Sequence, residues 1–205
     1  MSENTQNLPV LIAGGGIGGL AAALALTRQG FHVKVLEQAP EIGEIGAGIQ
    51  LGPNAFHAFD ALGVGEKARS RAVYTDYMVM HDAIDEYQVG KIPTGEAFIK
   101  RFGNPYAVIH RVDVHTSLLE GAQETGKVEF LTSTRVERIE QHAHSVTVID
   151  QNGNAHKGLA LIGADGRAGL GALGLTALSD APRLTLREAY ALGADRFSLW
   201  SFPPR

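Results

Sequence analysis

The 205-residue chain contains no cysteine, which excludes disulfides, thiolate metal sites and a cysteine nucleophile. A cysteine-free chain also suits a reducing cytoplasm, the expected compartment. There is no surplus of positive charge: 18 Lys and Arg against 22 Asp and Glu leave a formal net charge of −4. The basic residues form no stripe that could track phosphates, so nucleic acid is not an expected partner. Long uninterrupted apolar runs are missing too. The stretch from Asn4 to Thr27 carries no charge, but Glu3 stands where a leader would carry a basic flank. Glycines at 14, 15, 16, 18 and 19 interrupt the run, so neither a leader nor a membrane span is expected. No G-x-S-x-G nucleophile motif occurs. The eight histidines, among them His110, His115, His142, His144 and His156, lack the spacing and flanking acids of a metal site, and no metal is expected.

What is present is 44% hydrophobic content on a chain long enough to bury a core, with its clearest signal near the start. Val10-Leu11-Ile12-Ala13 reads as a fully buried strand of a parallel sheet. Gly18 to Gln29 reads as the crossover helix, with Leu20, Leu24 and Thr27 on one face and Gly30 at its C-terminal cap. Phe31 to Glu37 reads as a second strand with Val33 and Val35 inward. The glycines between the first strand and the helix follow the spacing Gly14-x-Gly16-x-x-Gly19, in the one context that makes this pattern specific. Gly14 allows the tight turn, Gly16 lets the backbone approach a diphosphate, and Gly19 lets helix and strand touch. A diphosphate would sit on the helix N-terminus, where amide groups and the helix dipole favour negative charge. Glu37, eighteen residues past Gly19, is placed to accept hydrogen bonds from adenosine ribose hydroxyls and to repel a 2′-phosphate. On these residues alone NAD and FAD remain equal choices.

Further along, Glu41 to Gly52 reads as a Gly-rich loop leading to Pro53 at the first turn of a helix, with Phe56, Phe59 and Leu62 on one face and Gly63 as its stop. Tyr74 to Ile92 reads as a hairpin, Ala107 to Ile109 as a strand, and Val112 to Thr125 as a helix ending at Gly126. Strands are expected at Val128 to Leu131, Thr134 to Glu140 and Ser145 to Asp150. After a turn at Gln151-Asn152-Gly153-Asn154, one more is expected from about Ala155 to Ile162.

Taken together, Gly14-Gly15-Gly16-Ile17-Gly18-Gly19-Leu20, Glu37-Gln38, Gly46 to Ala55, His110-Arg111-Val112-Asp113 and Gly163-Ala164-Asp165-Gly166 resemble the amino-terminal part of the flavoprotein aromatic hydroxylases. The resemblance implies an α/β, Rossmann-like FAD-binding domain (GR2-type): a parallel sheet with a βαβ unit and an added β-meander, incomplete relative to the family. It implies FAD as cofactor, with NADH as electron donor in the intact family. The implied reaction is that of an FAD-dependent monooxygenase hydroxylating a small aromatic acid, 3-hydroxybenzoate to gentisate. The implied cofactor-binding residues are Gly14, Gly16, Ile17, Gly18, Gly19, Glu37, Gln38, Gly48, Arg111, Val136 and Asp165. Arg111 is assigned to the diphosphate region, where a guanidinium matches phosphate oxygens, although an ion pair with Asp113 is the competing reading. Val136 is assigned beside the adenine, and the Gly46 to Gly52 loop near the isoalloxazine. No catalytic side chain is nominated, and the oligomeric state is left open.

The match stops after Asp165-Gly166, because the family places a Ser and an Arg where this chain has Gly169 and Ala172. Residues 1–166 are read as the FAD-binding domain, with an inserted hairpin and strand region at about 73–108, and 167–205 as an atypical tail. Of the 39 residues after Gly166, 24 are Leu, Ala, Gly or Arg, and Val, Ile, Lys, Asn, Gln and His are missing. That composition fits translation of a GC-rich gene in a shifted frame. No strand pattern is visible there, Leu184 to Leu192 has helical character, and Phe202 to Arg205 is expected to fray. Two alternatives accompany the hydroxylase reading: a catalytically inactive truncated fragment that at most binds ADP or FAD, and an NAD-dependent dehydrogenase.

Overall fold

The computed structural model describes residues 7–43 and 46–165 in full, together with the backbone of two strands at Thr185–Leu192 and Asp195–Ser201. The chain divides into two compact units, Met1–Arg167 and Ala168–Arg205. In the first, the elements follow the order β1 (Val10–Ala13), α1 (Ile17–Arg28), β2 (Val33–Leu36), β3 (Gly48–Leu51), α2 (Pro53–Leu62), α3 (Gly65–Arg71) and β4 (Val73–Tyr74). The hairpin β5 (Tyr77–His81) and β6 (Gln88–Pro93), α4 (Glu96–Phe102), β7 (Ala107–His110) and α5 (Arg111–Glu124) come next. The unit ends with β8 (Val128–Leu131), β9 (Val136–Gln141), β10 (Val146–Asp150), β11 (Ala155–Gly158) and β12 (Leu161–Gly163).

A four-stranded parallel sheet in the order β12-β1-β2-β8 forms the centre. All four residues of β1 are buried, as the unbroken apolar run requires when both faces of a sheet are covered. Alternation along the strands sorts the side chains into two layers. Ile12, Val33 and Val35 pack with Ala23 of α1 on one face. Leu11 and Leu36 pack with Val146 and Val148 of the antiparallel meander β9-β10-β11 on the other. A larger cluster joins Leu20 and Leu24 of α1 to Phe56 of α2 and to Val114 and Leu118 of α5. The architecture is therefore the expected α/β one: a parallel sheet carrying a βαβ unit, helices on one face and a β-meander on the other. Among the described residues, no helix is long and apolar enough to cross a membrane.

Helix α4 was not expected, and four other elements differ from the sequence expectations. The loop expected from Glu41 to Gly52 contains β3, which pairs antiparallel with β7 through Ile49↔Ile109 and Leu51↔Ala107. Its glycines mask a short strand that exists only because β7, about sixty residues on, supplies the ladder. Helix α3 was not expected, because its sequence buries only Gly65 and Ala68. Ion pairs hold it instead: Arg69 to Asp60 at 2.5 Å, Arg71 to Glu120 at 2.8 Å and Lys67 to Glu124 at 2.8 Å. The single strand expected from Ala155 to Ile162 is two strands in two sheets. β11 belongs to the meander, the Leu159 amide then bonds the Pro9 carbonyl at 2.8 Å, and β12 pairs with β1. Gly158 permits this crossing, since a Cβ there would stand 2.5 Å from Leu11 Cγ.

The fourth difference lies in the second unit. Leu184 to Leu192, expected to be helical in a tail without strands, is instead strand β13 (Thr185–Leu192), paired antiparallel with β14 (Asp195–Ser201). Thr185, Tyr190, Phe197 and Trp200 are strand-favouring residues whose signal the surrounding Leu and Ala obscured. The expected turn residue Gly166 and the expected frayed end Phe202 to Arg205 lie outside the described residues.

Candidate dinucleotide site

β1 ends at Ala13, and the chain reverses through Gly14, whose φ of +108° lies in the region that favours glycine. The Gly14 amide donates to the Leu36 carbonyl at 2.8 Å, tying the turn to β2. Gly19 then lies against the turn, since a Cβ on it would stand 1.9 Å from the Gly14 oxygen. Helix α1 begins after Gly16 with no side-chain cap and no acid in its first turn. Its first amide groups are thus left to water or to a ligand, and the helix dipole adds partial positive charge there.

Glu37 follows β2 and is half-buried. Its carboxylate accepts from the Gly15 amide at 2.6 Å and from the Ala39 amide at 2.8 Å. It therefore anchors the glycine turn as well as facing the site, a role the spacing alone did not reveal. On the opposite side, Arg111 opens α5, with its amide bonded to the Ala47 carbonyl at 3.1 Å. Gly46 makes room for its stem, because a Cβ there would meet Arg111 Cδ at 2.8 Å.

These elements enclose a cleft of about 360 Å³. Nine of the eleven residues expected at the cofactor line it: Gly14, Gly16, Ile17, Gly18, Glu37, Gln38, Arg111, Val136 and Asp165. Gly19 is buried behind the turn and acts through close packing. Gly48 is not among the lining residues; it pairs with His110 in the β3–β7 ladder. Val136 is the first residue of β9, and Asp165 follows β12, where the Ala164 amide bonds the Ala13 carbonyl at 2.7 Å. Thr134 and Arg135 also line the cleft and were not foreseen. Thr134 enters because its amide bonds the Glu37 carbonyl at 2.8 Å, a contact across 97 positions that no local pattern announces. His115 was likewise missed as a functional residue. It is buried on α5, one turn beyond Arg111, and its Nε2 donates to the Gly15 carbonyl at 2.8 Å.

An uncapped helix N-terminus, a cradle that a Cβ would fill, an acid beside it and an arginine in the same cleft lining fit the diphosphate and ribose of a dinucleotide. Residues 7–177 match the protein family described as "FAD binding domain". The chain belongs to that family. Within it, the chain is 84% identical over 166 residues to the 3-hydroxybenzoate 6-hydroxylase of Polaromonas naphthalenivorans (strain CJ2), covering 81% of this chain and 42% of that protein. It is 54% identical over 185 residues to the 3-hydroxybenzoate 6-hydroxylase of Klebsiella oxytoca, covering 90% of this chain and 46% of that one. Among solved structures, a Klebsiella pneumoniae HpxO variant complexed with FAD superposes with a TM-score of 0.71 at 27% identity, over 86% of this chain and 44% of its own. The chain thus spans less than half the length of these relatives and shares with them an FAD-binding domain of the flavoprotein aromatic hydroxylase kind.

Proposed function

We propose that this chain holds the ADP half of FAD in the cleft between the glycine turn, Glu37, Arg111 and Asp165, and that it is the flavin-binding part of an NADH-using aromatic hydroxylase acting on 3-hydroxybenzoate. The observation that carries the reading is the meeting, in one cleft, of nine residues drawn from five separated stretches of sequence. The α1 amide groups and the Arg111 guanidinium neutralise the diphosphate from two sides, and the Glu37 carboxylate, already fixed by two amides, accepts from the ribose. Gln38 and Val136 flank the adenosine end. When bound, FAD supplies the redox chemistry that activates oxygen for ring hydroxylation. The protein's part in the described residues is to bind and orient; none of them is given a catalytic role.

Since the chain spans 42% of its 84%-identical relative, cofactor binding rather than turnover is the activity proposed for the chain by itself. Incubation with FAD, desalting and an absorption spectrum test it directly. A retained flavin spectrum that weakens in Arg111→Met is expected, and a colourless wild-type eluate refutes the reading. Displacement of bound FAD by equimolar NAD would favour the dehydrogenase alternative. Substrate-dependent NADH oxidation by the purified chain would show that it is more than an inactive fragment.

A further inference from the structure

We infer that His115 is a positioning residue of the cofactor site, holding the peptide between Gly15 and Gly16 so that the Gly16 amide is presented to the diphosphate. His115 is 2% exposed and lies 100 positions from its partner in sequence. A carbonyl oxygen only accepts, so the 2.8 Å contact to the Gly15 oxygen makes Nε2 the protonated nitrogen of the ring. The other end of the same residue is held as well, because the Gly15 amide donates to Glu37 at 2.6 Å. Gly15 is therefore gripped by Glu37, just past β2, at its amide and by α5 at its carbonyl.

The consequence falls on the next amide. A trans peptide is planar, with its C=O and N–H directed to opposite sides. Drawing the Gly15 carbonyl toward α5 turns the Gly16 N–H away from α5, and Gly16 lines the cleft while Gly15 does not. Glycine turns can rotate such a peptide at little steric cost, since neither flanking residue has a Cβ. A buried donor on a rigid 14-residue helix removes that freedom before a ligand arrives. Arg111, four residues earlier on the same helix, lines the cleft directly. One helix thus contributes a charge to the site and, one turn later, a donor that orients the glycine turn.

The inference rests on the proposed flavin role of the cleft, and the wild-type chain serves as the control for that reading. FAD affinity and the thermal midpoint without FAD are to be measured for wild type, His115→Leu and His115→Gln. Gln can place an amide N–H near the position of Nε2, whereas Leu keeps apolar bulk and removes the donor. His115→Leu is expected to weaken FAD binding about tenfold, with His115→Gln within about threefold of wild type, as for the loss and recovery of one hydrogen bond that orients a charge-binding amide. Equal affinity in wild type and His115→Leu overturns the inference. So does equal weakening by both variants, which would mean that ring shape and not the donor matters. If His115→Leu fails to fold, the comparison of His115→Gln with His115→Asn decides: the shorter amide falls short of Gly15, and equal affinities in that pair overturn the inference. A wild-type chain that retains no FAD overturns the proposed function itself.

Discussion

Replacing Gly19 by alanine puts a methyl carbon 1.9 Å from the Gly14 oxygen, where ordinary contact begins at 3.4 Å. Either α1 moves about 1.5 Å away from the end of β1 or the peptide that carries the Gly14 oxygen rotates, turning the Gly15 amide out of its bond to Glu37. Overpacking of this kind in a close-packed interior costs about 1–3 kcal/mol, which for a unit of this size lowers Tm by several degrees. Both relaxations also shift the first amide groups of α1 relative to Glu37, so FAD affinity should fall at least tenfold if one charge-assisted hydrogen bond is lost. The neighbouring position supplies the control. A Cβ at Gly18 meets nothing within 4 Å, and Gly18 is exposed on the helix. Gly18→Ala should leave the ligand-free unit as stable as wild type or up to about 1 kcal/mol more stable, because alanine is the better helix former. Thermal and urea denaturation of the two variants without FAD measure the contrast. Equal midpoints for Gly19→Ala and Gly18→Ala would refute the close contact on which the reasoning depends.

Asp150 accepts from His156 at 3.0 Å, from the Asn152 and Asn154 amides and from Asn154 Nδ2, and the His156 hydrogen bond foremost holds its carboxyl well below the usual carboxylate range. A depressed carboxylate contributes stability that is complete above its unfolded value of about 4 and is lost as pH falls through the lower folded value. The acid limb of a Tm-against-pH curve between pH 5 and 2 should therefore be shallower in Asp150→Asn, and identical limbs would contradict this. Leu11, fully buried between the central sheet and the meander, should cost about 2–5 kcal/mol when cut to alanine, read as a shift in urea midpoint at constant m-value. Arg69 makes a two-pronged pair with Asp60, bonds Asn104 at 2.8 Å and lies 5.3 Å from the centre of the Phe56 ring. Lysine cannot reproduce that fork, but the pair is partly solvated, so Arg69→Lys should cost about 1 kcal/mol or less. A larger loss would mean that the stacking on Phe56 dominates.

The first forty residues were legible because the signals that define them are local. A fully buried strand, a glycine turn, an apolar helix face and a terminal acid lie within one short span, each with its own period or turn chemistry. Arg111, Val136 and Asp165 are remote from that span and were assigned through family motifs; the cleft nevertheless has all three in its lining. What sequence could not show depends on partners supplied from elsewhere in the chain. β3 needs β7, α3 needs Asp60, Glu120 and Glu124, and the break after Gly158 needs the Pro9 carbonyl and the Leu11 side chain. His115 reads as one more apolar-face position on α5 until the Gly15 carbonyl is found beside it. Gly48, in the loop assigned to the isoalloxazine end, pairs with His110 in the β3–β7 ladder, a pairing its glycine-rich surroundings did not announce.

The parallel pairing of β1 with β12 joins Leu11 to Leu161, 150 positions later. During synthesis the glycine turn, α1 and β2 emerge early, but the wall carrying Ala164 and Asp165 cannot close until β12 has left the ribosome and the meander has folded. Contacts of such separation form slowly, because a long loop must close before they repay its entropy. Until then β1 has an unpaired edge beside the glycine turn, open to wrong strands. Completion of the proposed cofactor cleft is thereby tied to the docking of β12, and a flavin signal appearing during refolding should time that docking rather than the formation of the βαβ unit.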